Sequence, residues 1–336
     1  MKAARSGQFR LVGENGLMAP PASTHSRQKT DVRATVARVL LTREVGQRIP
    51  TVQELQAIAQ VGTGTVIKAL RELEASGSVT LSSHGHQGTV VVARNVGQLW
   101  NEGHLGNLTL IMPPPGPIEQ QGILETLQTV LGRNGVPLVT SSMAGARRRL
   151  EELYHERAHA VITSAGAFAH NSADLPGLAQ LDLGEASFYS RGSLVVVERP
   201  SRATSGPLRV GIDRASYDHQ LLTEAEFEGA EVEYVDSRFV SAPAEVLRER
   251  VDAAVWHAMP TVIPPTLAGL QVRPLRPEVI AKTADVSRAV LVTRALDAGV
   301  NALMREVSAA DVIKTQSRLL KQAADSDLDV SEFWPR

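Results

Sequence analysis

The chain has 336 residues, 43% hydrophobic, 21% charged and 4% aromatic, enough apolar content to bury a sizeable core and exclude disorder throughout. No run of ~18 apolar residues occurs, which excludes a transmembrane helix, and the lack of cysteine excludes disulfides, thiolate metal sites and cysteine nucleophiles. The net charge of −1 hides a split: residues 1–95 hold 12 Lys+Arg against 6 Asp+Glu, and residues 96–336 hold 23 against 30. A basic front end on an acidic body points to a polyanion partner for the front end alone. The first residues, Met1-Lys2-Ala3-Ala4-Arg5, carry charge with no apolar segment behind them, so a cytoplasmic rather than secreted protein is expected.

Residues 1–28, rich in Gly, Pro, Ala, Ser and Arg without apolar period, are expected to form a disordered arm. A DNA-binding domain is then expected over 29–94. Val32, Val36, Val39 and Leu40 fall at helical spacing up to about Arg43, and Gly46 to Pro50 breaks that helix. Thr51-Val52-Gln53-Glu54 has the form of a capping box opening a second helix. After a turn at Val61-Gly62 a third helix buries Val66, Ala69, Leu70 and Leu73 and presents Thr63, Gly64, Ile67, Lys68 and Arg71. Ser78–Leu81 and Thr89–Val92 read as strands about the polar turn Ser82–Gly88. Three helices and a hairpin in this order form a winged helix-turn-helix, which reads double-stranded DNA with one helix in the major groove. Thr51, Thr63, Thr65, Lys68, Arg71, His84 and His86 are the candidate DNA contacts: hydroxyls and charges on two helix starts and at the wing tip.

Ile49-Pro50-Thr51, Glu54-Leu55, Gly64-Thr65-Val66, Ala69-Leu70, Leu73-Glu74 and Gly77 together resemble the DNA-binding domain of GntR-type bacterial regulators. The chain departs from that family's usual pattern at Gly62-Thr63, at Ile67 and at the wing turn Ser83-His84-Gly85-His86, where the family commonly carries arginine.

Residues 95–107 read as a linker. From Leu108 the pattern alternates as β-strand and α-helix, with strands at 108–112, 136–140, 160–163, 193–198, 208–212, 232–235, 253–256 and 289–292. The βαβαβ order implies parallel α/β sheets. The expected architecture is α/β, a winged helix-turn-helix followed by a two-lobed effector domain over 108–323 and a tail at 324–336. It resembles the type II periplasmic-binding-protein fold used for effector sensing in LysR-type regulators. That resemblance places lobe 1 at about 105–199 plus 286–323 and lobe 2 at about 200–285. Ligands in such sheets bind beyond the C-terminal strand ends. Those ends give Pro113, Pro114, Ser141 and Ser142, followed by Ser164, Asp213, Ser216 and His257, as candidate ligand contacts. Helix starts at Ser164 and Ser216 favour an anionic group, whereas Asp213 favours an amine or hydroxyl.

Gly85-His86-Gln87-Gly88-Thr89, Met112-Pro113, Gly211-Ile212-Asp213 with Ser216 and Asp218-His219-Gln220, Leu222-Thr223, and Asp252-Ala253-Ala254-Val255-Trp256 resemble the YhfZ family. The resemblance implies a GntR-like regulator with a binding-protein-like C-terminal domain. His155-Glu156-Arg157-Ala158-His159 spells a zinc-protease motif, but a β run follows directly, so the two histidines are not expected on one helix face. Arg147-Arg148-Arg149 reads as a solvated helix face, or as a contact to phosphates or a partner subunit. The expectation is a non-enzymatic homodimeric regulator without metal or cofactor, binding an operator and a small-molecule effector. The alternative is a binding-protein-like enzyme using Ser164, Asp213 and His257 as acid–base groups.

Overall fold

The computed structural model describes residues 31–201, 206–261 and 263–325. The arm expected over 1–28 and residues 326–336 of the expected tail lie outside the described residues.

The head is built from α1 (Val32–Leu41), α2 (Val52–Ala59) and α3 (Thr63–Ala75), followed by strands β1 (Val79–Ser83) and β2 (Thr89–Arg94). Thr51 forms the capping box: Glu54 N donates to its Oγ1 at 3.2 Å and Thr51 N donates to Glu54 Oε2 at 2.7 Å. Gln60, in left-handed conformation, ends α2. The tight turn leaves Gly62 as the N-cap of α3, with no side-chain capping bond. Val36, Ala37 and Leu40 of α1 meet Leu55 of α2 and Val66, Ala69 and Leu73 of α3 in one core. β1 and β2 pair antiparallel to form the wing, and Arg48 bridges Val90 beside them.

The expected linker is largely helical. α4 (Val96–Glu102) is capped by Asn95, whose side chain accepts from Gln98 N at 2.9 Å, and it buries Val96, Leu99 and Trp100. Leu99 and Trp100 are each almost fully buried, worth roughly 1.5–3 kcal/mol per large apolar side chain relative to exposure. Trp100 Nε1 donates to Gly106 O at 2.9 Å. The segment therefore behaves as a wedge, packed on α1 of the head and on the body.

The body begins with β3 (Leu108–Met112), α5 (Ile118–Arg133), β4 (Leu138–Ser142), α6 (Ala146–Tyr154), β5 (Ala160–Ser164), α7 (Ala165–Asn171) and β6 (Leu178–Asp182). The chain then crosses to β7 (Leu194–Glu198), β8 (Leu208–Ile212), α8 (Tyr217–Glu226), β9 (Val232–Asp236), α9 (Ala242–Leu247), β10 (Ala253–His257), β11 (Gln271–Pro274) and α10 (Pro277–Lys282). It returns through β12 (Ala289–Arg294), α11 (Ala298–Met304) and α12 (Ala309–Asp325). One sheet has the order β4-β3-β5-β12-β6 and the other β11-β7-β10-β8-β9. In each, three strands of a βαβαβ unit are parallel and a fourth, supplied from across a crossover, is antiparallel. The result is a two-lobed α/β domain of the periplasmic-binding-protein type.

One lobe boundary shifts and two strands are added. Leu194–Glu198, expected in lobe 1, pairs with β10 and β11 in the second sheet, so the first crossover precedes it. β6 and β11, not anticipated, pair at the outer side of the two exchanged strands. The pseudo-zinc motif is broken as expected: α6 stops at Tyr154, and Glu156 takes φ +61° between the histidines. His159 Nδ1 instead accepts from Thr109 N at 3.0 Å.

Candidate functional site

β3 lies between β4 and β5, and β8 between β9 and β10, so each sheet has a switch point at the C-terminal end of the first strand of its βαβαβ unit. These ends, Pro113-Pro114 in lobe 1 and Asp213 in lobe 2, line one cavity of about 110 Å3. Ser216 and His257 line it too. Ser164 sits behind the wall: its Oγ donates to Asp218 Oδ1 at 2.7 Å and accepts from Ala167 N at 3.0 Å, capping α7. Ser141 and Ser142 end the edge strand β4, exposed and outside the lining. β4 runs on through Ser142, two residues past its expected end, level with Met112 of β3, so the turn that follows, Ala144 to Ala146, meets the cavity in place of the two serines.

The cavity walls are aromatic and apolar, with Phe188, Tyr189, Tyr217, Phe239 and Trp256 among them. Its charged and polar groups come from both lobes. Behind the lining residue His257, Glu119, near the start of α5, is 1% exposed, its Oε2 3.3 Å from His257 Nε2, and its Oε1 accepts from Ser190 N at 2.9 Å. Burial opposes ionisation of Glu119, yet the His257 charge and these hydrogen bonds hold its pKa down at about 2. Asp218 is pushed up to about 6 by burial, against the Ser164 hydroxyl and the Arg149 charge. Tyr189 OH reaches Asp218 Oδ2 at 3.4 Å. Asp213 accepts from Ala215 N and Phe239 N, each at 3.1 Å. Its own N–H donates to His219 Nδ1 at 2.8 Å, and His219 Nε2 donates to Val255 O at 3.0 Å. Burial drives the His219 pKa down to about 4, so this ring is neutral.

Arg149 is the residue the sequence pattern misplaced. Arg147 lies at the surface, paired with Glu151 and Asp174, and Arg148 is exposed. Arg149 is 4% exposed and lines the cavity. Ala146, Arg149, Leu150 and Leu153 form the buried stripe of α6 at helical spacing, and that periodicity was the available signal. Gln120 and Trp256 also face the cavity, and Gln120 Oε1 and Trp256 Nε1 are buried without hydrogen-bond partners among the described residues.

Ser164, Asp213 and His257 do not form a relay. Their hydrogen bonds and ion contacts run to separate partners, respectively Asp218, backbone amides and Glu119.

On the head, Thr63, Thr65, Lys68 and Arg71 lie along the exposed face of α3, opposite its buried stripe. Thr63 Oγ1 donates to Gln56 Oε1 at 2.8 Å, tying α2 to the start of α3. Lys68 lies 3.8 Å from Glu72, an exposed pair worth little. His84 and His86 are exposed at the wing tip, whose turn is closed by His84 N donating to Gly88 O at 2.8 Å. Thr51 is committed to its capping box, with its side chain exposed at the start of α2.

A family model described as the YhfZ C-terminal domain matches residues 95–327, and one described as a helix-turn-helix domain matches residues 44–91. The chain belongs to the YhfZ family. The uncharacterized protein YhfZ of Escherichia coli K12 is 27% identical over 285 residues, covering 84% of this chain and 92% of that one. The crystal structure of YhfZ from Shigella flexneri superposes with a TM-score of 0.51 at 24% identity, covering 68% of this chain and 96% of that chain. A ligand-binding component of an ABC-type import system from Staphylococcus aureus with zinc bound matches at a TM-score of 0.47 and 14% identity, over 68% of this chain and 84% of that chain. The family frame fits both sites: a helix-turn-helix head and a body with a cavity between two sheets. Among the described residues no helix is long and apolar enough to cross a membrane.

Proposed function

We propose that this chain is a cytoplasmic, ligand-responsive transcription regulator of GntR-like type that binds a double-stranded operator as a homodimer. The observation that carries the reading is the division of α3 into a buried face and an open one bearing Thr63, Thr65, Lys68 and Arg71. A helix of this size with a free polar face enters the major groove, and the wing with His84 and His86 reaches the adjacent backbone. The helix-turn-helix family match over 44–91 supports this reading. So does the excess of basic residues over residues 1–95. Thr51, held in its capping box at the exposed start of α2, is the remaining candidate contact.

The cleft is the sensing site in this reading. A small metabolite contacts Pro113, Pro114, Asp213, Ser216 and His257, with Ser164 supporting the wall, and closes one lobe on the other. Ser141 and Ser142, outside the cavity, take no part. Closure reaches the head through α4 and α11, which pack with α1. A coupling of about 1–3 kcal/mol would suffice for a several-fold change in operator affinity. Separate engagement of Ser164, Asp213 and His257 favours sensing over catalysis.

A mobility-shift titration with the DNA upstream of its own gene tests the proposal. The expected result is a sequence-selective, salt-sensitive complex whose stoichiometry is two chains per palindromic site. Absence of a selective shift at any protein concentration would overturn it.

A further inference from the structure

Which chemistry the cavity takes follows from the groups that are already satisfied. Every carboxylate facing it is engaged. Asp213 holds the Ala215 and Phe239 amides and Asp218 holds Ser164 and Tyr189, while Glu119, behind the lining, holds Ser190 N and faces His257. A cationic ligand would therefore compete with bonds already made.

Arg149 is in the opposite position. Nε donates to Ile162 O at 2.9 Å and Nη1 to Met143 O at 2.8 Å, two neutral carbonyls that orient the guanidinium without cancelling its charge. Among the described residues it forms no ion pair with a carboxylate, although it is buried. Burial lowers its pKa only to about 10, so it is charged at neutral pH. Asp218 acts on it only through space, and a buried guanidinium with no carboxylate in direct contact is costly unless something anionic completes it. The first turn of α6 adds to this. Ala144, Gly145 and Ala146 line the cavity, Gly145 at φ +84° is the N-cap, and no side chain caps the helix. Its open amides and the Arg149 side chain one turn on face the same space.

Away from Arg149, the aromatic wall and the partnerless Gln120 Oε1 and Trp256 Nε1 ask for an apolar body bearing a second hydrogen-bonding group. Resting on the sensor reading above, we infer that the cavity binds a small organic carboxylate, its acid group on Arg149 and the first turn of α6, and a hydroxyl group toward Gln120 and Trp256, donating to the one and accepting from the other. The volume of about 110 Å3 restricts the ligand to a compact molecule.

The test uses the full chain with a matched set of three-carbon probes: propionate, L-lactate and L-alanine, against propionamide and L-lactamide, at constant ionic strength. Melting temperature and intrinsic tryptophan fluorescence are followed up to tens of millimolar. The acids should raise the melting temperature with concentration, and the amides should not. The response to L-lactate should exceed those to propionate and L-alanine, and a stronger response to L-alanine would overturn the hydroxyl assignment. Arg149→Lys keeps the charge but loses the fork, and should weaken the acid response about tenfold or more. Circular dichroism and the variant's own melting curve show that it is folded. Equal effects of acid and amide, or no effect of any acid, would overturn the inference, as would an undiminished response in folded Arg149→Lys. Mobility shifts on the same preparations separate the two readings. DNA binding without a carboxylate response defeats this inference alone, and a carboxylate response without DNA binding defeats the regulatory reading alone.

Discussion

Ser164 Oγ donates a 2.7 Å hydrogen bond to Asp218 Oδ1, joining the end of β5 in one lobe to the first turn of α8 in the other. The same oxygen accepts from Ala167 N and so caps α7. One hydroxyl thus serves as helix cap and as latch between the lobes. Ser164→Ala removes both and leaves the buried Asp218 carboxylate, among the described residues, with the longer Tyr189 hydrogen bond alone. The expected cost is about 1–3 kcal/mol, from an under-satisfied buried acceptor plus a lost cap. Urea unfolding followed by circular dichroism should show the midpoint falling without a change of slope, while exposed Ser141→Ala stays at the wild-type midpoint.

Two neighbouring residues on α8 titrate with opposite signs. His219 has its pKa depressed to about 4 by burial, so the stability it contributes is present above 6.5 and is lost as pH falls from there toward 4. Asp218 has its pKa raised to about 6 by burial, so its ionised form destabilises the fold above that pH. That penalty is relieved as pH falls from 6 toward 3.8. Each effect is worth roughly 3 kcal/mol in full at about 1.36 kcal/mol per pH unit, and they nearly cancel. The summed contribution of these two residues should therefore stay almost level between about pH 6 and pH 4.5, while His159, also lowered by burial, tilts the wild-type protein toward lower stability on acidification. His219→Gln should gain stability on acidification over that range, and Asp218→Asn should lose it. Parallel slopes for the three proteins in pH-resolved urea titrations would refute the assignment.

Legibility followed periodicity and capping. The Thr51 capping box and the apolar stripe of α3 were readable because each rests on a local bond or a 3.6-residue repeat. The switch-point residues Pro113 and Asp213 were readable because strand ends are marked by the break in a run of buried aliphatics. Arg149 was missed because three consecutive arginines suggest solvent, although its place in register with Ala146, Leu150 and Leu153 put it on the buried face. β7 was assigned to the wrong lobe because nothing local distinguishes a strand before a crossover from one after it. Only its pairing with β10 and β11 decides. α4 hid in a segment of glycines and asparagines, and its Asn95 cap with Trp100 four residues from Val96 was the overlooked sign.

Gly97 tests how closely that linker helix is seated. A Cβ on Gly97 would lie 2.1 Å from the backbone O of Asn134, at the end of α5. A Cβ on Gly299 in α11 would lie 2.9 Å from Leu41 Cδ2, the tip of a flexible side chain. Alanine in an ordinary helical site gains up to about 1 kcal/mol over glycine. Gly299→Ala should consequently fall near neutral, whereas Gly97→Ala must displace backbone and should cost about 1–3 kcal/mol or more. Differential scanning calorimetry of the two variants checks the ordering. If the head is signalled through α4, Gly97→Ala should also reduce the effect of ligand on operator binding by more than its effect on operator affinity without ligand.

Lys68 and Arg71 stand on the open face of α3 without a buried counter-charge, so in the regulator reading each either neutralises a phosphate or reads a base. The two roles separate in a salt titration. A phosphate contact releases a counterion, so its loss weakens binding to operator and to unrelated DNA alike and lowers the salt slope by about 1. A base contact leaves the slope nearly intact and costs about 1–3 kcal/mol on the operator alone. Lys68, ahead of Arg71 and closer to the start of α3, is expected to act on base edges, since the first turns of a recognition helix lie deepest in the groove. Arg71, nearly a turn farther on, is expected to meet the backbone. Fluorescence anisotropy of Lys68→Ala and Arg71→Ala against operator and scrambled duplexes, at several salt concentrations, should show lost selectivity for the first and a reduced slope for the second. Wild-type slopes and affinities in both variants would remove α3 from the interface.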